Sequence, residues 1–129
     1  MIGAAAAVWY FLLDDWLTGL SQTDSDNAPL ASSLVSNLEI PWALDFLPDG
    51  SIVLTERPGR IRYIDFNGEL QAEPLLTVSD VAASGEGGLL GIAVHPGFSQ
   101  NGYIYVYLTY HDDGGLANRV VRYTCRGFP

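Results

Sequence analysis

The 129-residue chain contains no lysine: its six basic residues are all arginines, against fifteen acidic residues, for a net charge of −9. That absence removes a Walker-type phosphate loop, a lysine Schiff base and a lysine general base from what the chain can do. The acidic balance argues against a nucleic-acid partner, because phosphate binding needs a basic face. Cys125 is the single cysteine, so neither an internal disulfide nor a multi-cysteine metal site can form within the chain. Long apolar runs are also missing. The longest, Ile2 to Leu13, is twelve residues, short of the ~20 that a membrane helix needs but within the ~7–15 of a secretory apolar core.

No arginine precedes that run, and no clear small-x-small cleavage site follows it. A start inside a longer export or anchor segment produces this pattern, and so does a buried amphipathic helix. Residues 1–20 are read as a signal- or anchor-like segment, with helix expected over Ala4 to Leu13 because alanine and leucine favour it. Such a segment places the protein outside the cytoplasm, as a periplasmic, secreted or membrane-anchored species. Residues 21–33, "SQTDSDNAPLASS", are small, polar and proline-containing, the composition of a linker.

From residue 34 the pattern changes to short strands separated by turn signals, the mark of an all-β protein. "WALDFL" (42–47) alternates and stops at Pro48-Asp49-Gly50, where Pro fixes φ and Gly accepts a positive one. "SIVLTE" (51–56) and "IRYIDF" (61–66) follow around Pro58-Gly59, then Asn67-Gly68 gives a hairpin signal and a weaker fourth strand falls within 69–78. Pro74 suits an edge position there. The order then restarts with "LLGIAV" (89–94), "YIYVYLTY" (103–110) and "RVVRYT" (119–124). Pro48 and Pro96 are 48 residues apart, and Arg60 and Arg119 are 59 apart. A four-stranded unit repeating every ~40–50 residues is the signature of β-propeller blades. Two units are present, the second without its last strand. Since such units stack to bury their faces, apolar sheet surface is expected to be exposed, and the chain is expected to be the N-terminal part of a longer protein.

"SGEGGLLGIAVHP" (84–96) holds the one loop with a candidate site. Gly85, Gly87 and Gly88 give the main chain conformations closed to other residues and allow close approach, and Glu86 supplies hydrogen-bond acceptors. A tight inter-blade connection with Glu86 in solvent explains the same residues. The spacing is not a dinucleotide fingerprint, because Leu90 stands where the third glycine belongs. His95 before Pro96 reads as structural or solvated, "HDDGGLA" (111–117) as a solvated hairpin turn, and the tyrosines of "YIYVYLTY" as packing on one strand face. Arg57 and Arg60 could meet an anionic cofactor, but pairing with Glu56 or Asp65 is the plainer account.

Taken together, "PWALDFLPDGSIVLTERPGRIRYID", "GEGGLLGIAVHPGFSQNGYIYVYLTY" and "NRVVRYT" resemble the opening of the glucose/sorbosone dehydrogenase family over residues 34 to 124. The resemblance implies a six-bladed β-propeller, with residues 34–129 as its N-terminal part, that oxidises an aldose. It also implies pyrroloquinoline quinone (PQQ) over the central channel, with calcium nearby. The family's catalytic histidine, calcium ligands and most cofactor-binding basic residues lie in later segments, so no catalytic or metal-binding residue is assigned in this chain. Only the loop carries over, with Glu86, Gly87 and Gly88 near substrate and cofactor. This implies a fragment inactive by itself. The alternative is a non-catalytic propeller used as a binding or adhesion module, since fold does not fix function.

Overall fold

A computed structural model describes residues 31–127. The helix expected over Ala4 to Leu13 and most of the linker fall outside the described residues.

Among the described residues, seven strands form two antiparallel sheets. The first joins β1 (Pro41–Phe46), β2 (Ile52–Glu56), β3 (Arg60–Ile64) and the two-residue β4 (Leu76–Thr77) in sequence order. The second joins β5 (Leu89–Val94), β6 (Tyr103–Asp112) and β7 (Gly115–Thr124), with a four-residue helical turn, α1 (Phe98–Asn101), between β5 and β6. Each is a meander of the kind a propeller blade requires, and the second has three strands. No helix among the described residues is long and apolar enough to cross a membrane.

Alternation along the strands decides how the sheets stack. Val53, Thr55, Ile61 and Tyr63 face the second sheet, which answers with Leu89, Ile92, Val94, Ile104, Val106 and Leu108. Each fully buried aliphatic there contributes roughly 1.5–3 kcal/mol. Ile52, Leu54 and Ile64 point the other way, onto Val35 and Leu38 of the segment that leads into β1 and onto Leu70. With both faces covered, β2 is buried along its whole length. Two side-chain hydrogen bonds also cross the seam: Thr55 Oγ1 donates to Leu90 O (2.5 Å), and Asp45 Oδ2 accepts from Val94 N (2.7 Å).

Several boundaries differ from the sequence expectations. The third strand ends at Ile64, because Asp65 Oδ1 accepts from the amides of Asn67 and Glu69 (both 2.9 Å) and curls the chain; Phe66 is 72% exposed in that turn. The fourth strand shrinks to Leu76–Thr77 on the sheet edge, two residues after Pro74. The β6–β7 hairpin runs further, ten residues an arm, so the ladder continues through His111 and Asp112 to close at Asp113-Gly114.

Candidate functional site

The loop of residues 84–88 enters β5 under constraint from three directions. Ala82 N donates to Thr109 O (2.8 Å) and Thr109 N to Gly88 O (2.9 Å), which fastens it to β6; Gly87 N closes a turn on Ser84 O (2.8 Å). From the first sheet, Arg57 Nη1 donates to Gly85 O (2.5 Å), and Arg57 O accepts from Leu89 N (2.9 Å). Gly85 sits at φ +56° and Gly88 at φ +154°. A Cβ on Gly88 would come within 2.4 Å of Arg57 Cγ and 2.6 Å of Arg57 O, while one on Gly87 would meet Ser84 O and Thr109 Cγ2 at 3.0 Å. The last two glycines are therefore required by close packing of this chain against itself.

Glu86 stands at the crest of this loop, exposed, with no hydrogen bond or ion pair among the described residues. Beside it an open cleft of about 520 Å³ is lined by Leu90, Tyr107, Thr109, Leu116 and Asn118. Thr109 Oγ1 donates to Asn118 Oδ1 (2.8 Å) on the cleft wall. Tyr107, Thr109, Leu116 and Asn118 lie on the face of the second sheet turned away from the first, and Glu86 offers hydrogen-bond acceptors at its edge.

The arginines near the Pro58-Gly59 turn divide their roles. Glu56 is 0% exposed, and it accepts from Arg60 Nε (2.6 Å), Glu39 N (2.6 Å) and Arg62 Nη1 (3.4 Å). Burial by itself would raise its pKa. The Arg60 hydrogen bond, the Glu39 amide and the two guanidinium charges outweigh that and hold the carboxyl below its ordinary value. Arg60 also pairs with Glu39 (2.7 Å). The expected pairing thus holds for Arg60 with Glu56, but Arg57 goes to the loop instead and Asp65 is occupied by its own turn.

His95 makes structural contacts. His95 Nδ1 accepts from Gly97 N (2.8 Å) and contacts Asn101 Nδ2 (2.9 Å), with its ring near Tyr103 and Tyr105. It closes β5 at the end opposite Glu86, about 20 Å away for a strand of this length, beyond hydrogen-bond reach of anything held there. His111 and Asp112 are exposed at the hairpin tip. Among the described residues no group of three or more His, Cys, Asp or Glu is gathered for a metal ion. PQQ carries carboxylates that need cations. The loop region offers one, Arg57, already bonded to Gly85 O, so the described residues do not fit that cofactor on their own.

Comparison with known proteins agrees with this geometry. Residues 38–128 match the glucose/sorbosone dehydrogenase family. Aldose sugar dehydrogenase YliI of Escherichia coli (strain K12) is 40% identical over 91 residues, which cover 70% of this chain and 24% of that protein. Hedgehog-interacting protein of Mus musculus is 30% identical over 119 residues, 82% of this chain and 17% of that protein. The PQQ-bound form of an aldose sugar dehydrogenase from Streptomyces coelicolor matches with a TM-score of 0.63 at 35% identity, covering 72% of this chain and 27% of that one. The chain spans about a quarter or less of the length of these proteins. With both blade motifs and the stacked β-propeller meanders inside the matched region, the chain belongs to the glucose/sorbosone dehydrogenase family.

Proposed function

We propose that the chain supplies two blades of a PQQ-dependent aldose dehydrogenase that works outside the cytoplasm, with calcium assisting the quinone. In this reading Glu86 accepts hydrogen bonds from hydroxyl groups of the sugar. The observation that supports it is a loop fixed from three sides that leaves its one acidic side chain exposed and without a partner among the described residues. The names of the E. coli and Streptomyces proteins support the chemistry. The catalytic base and the quinone's cationic partners belong to segments outside these two blades, so the 129-residue chain is inactive alone.

Dye-linked oxidation of aldoses tests this, with quinone and calcium supplied. The 129-residue chain is expected to show no turnover, and a complete propeller carrying the same two blades is expected to oxidise an aldose. In that protein Glu86→Ala should raise KM for the sugar about tenfold, the weight of one hydrogen bond to a charged acceptor. Turnover by the isolated chain would put the catalytic base within these two blades and overturn the reading. The similarity to Hedgehog-interacting protein favours a second reading, a non-catalytic binding module. A complete propeller that binds no quinone and oxidises no aldose would decide for it.

A further inference from the structure

We infer that Arg57, on the first blade, is the positioning residue for the Glu86 loop of the second. Three arginines lie within six residues of one another at 57, 60 and 62, and the buried Glu56 draws two of them, Arg60 and Arg62. Arg57 is nearest to that carboxylate in sequence but turns away, since successive residues point to opposite faces. Its charge is spent 28 residues further on, where Nη1 reaches the Gly85 carbonyl.

The contacts bracket Glu86 on both sides. Before it, the guanidinium fixes the Gly85 peptide; after it, the Arg57 main-chain carbonyl receives Leu89 N, and the Arg57 stem fills the space where Gly88 would carry a Cβ. Glu86 itself touches no partner among the described residues that could orient it, so the direction of its carboxylate is inherited from the backbone on either side. A lysine would keep the charge, but its ammonium ends one bond short of the Nη1 that meets the carbonyl while the stem packs beneath Gly88.

The consequence for sugar recognition rests on the function proposed above; the positioning itself does not. Amide hydrogen exchange of the 129-residue chain reads it directly. Arg57→Ala is expected to speed exchange at Gly87 and Thr109, which donate to Ser84 O and Gly88 O, by about tenfold, the weight of one charge-assisted hydrogen bond. Exchange at Ile104 and Val106 should stay unchanged and serve as the control for folding. Arg57→Lys, which retains most of the stem, should give the same loosening, and millimolar guanidinium should slow exchange in Arg57→Ala again. Unchanged loop exchange in the folded variants, or no response to guanidinium, overturns the inference. Loosening in Arg57→Ala, combined with normal sugar oxidation by a complete propeller bearing Glu86→Ala, would uphold the positioning and discard the sugar role.

Discussion

Glu56 carries a charge that the fold buries. A fully buried carboxylate is tolerable only because two guanidinium groups and one amide meet it, and removing it leaves Arg62 buried without its counter-charge. Glu56→Ala is expected to cost about 3–5 kcal/mol in urea unfolding, since breaking one side of a buried pair is worse than never forming it. Because its folded pKa is lowered, the carboxylate stabilises the protein fully above the ordinary 4.5. That contribution is lost as pH falls through the lower folded value. Urea midpoints measured on acidification should therefore drop for the wild type in this window and stay flatter for Glu56→Gln.

Among the elements, the seam between the sheets depends on side chains as well as on apolar packing. Thr55 is buried, gives its hydroxyl to Leu90 O and accepts from Ala43 N (3.2 Å), so Thr55→Val keeps the shape and takes this partner from two half-buried main-chain groups. A loss of about 1–3 kcal/mol is expected, read from the same urea titrations. The meanders themselves were legible in the sequence, because alternation and the turns at Pro48-Asp49-Gly50 and Asn67-Gly68 are local signals. The ends of strands were less so. Phe66 looks like strand from its apolar character, but Asp65 takes the amides that would have continued the ladder. The hairpin arms at His111-Asp112 and Gly115-Asn118 lack apolar alternation, although their ladder forms. At the site, Glu86 and its glycines stood out as a motif. Arg57 could not be told from Arg60, since only the stacking of the blades shows which one faces the loop.

At the scale of the whole molecule, the described residues leave two outer sheet faces with exposed apolar side chains. Trp42, Leu44 and Phe46 are 47%, 56% and 60% exposed on the first sheet, and Tyr107, Leu116 and Val120 are 39%, 55% and 65% exposed on the second. Apolar surface left open by stacked blades was expected from the repeat, and such patches bind hydrophobic probes. The double variant Leu44→Lys with Val120→Lys should lower the fluorescence of an anilinonaphthalene dye by at least about twofold. It should change folding stability by no more than about 0.5 kcal/mol, because neither side chain is buried. The bond between Arg57 and Gly85 has a different kind of consequence, for how such a protein can be recombined. The segments "TERPGR" and "GEGGLLG" look like independent cassettes in the sequence, but they are halves of one device. A chimera whose crossover falls between residues 57 and 85 inherits the loop from one parent and its clamp from the other, whereas crossovers outside that interval keep the device whole.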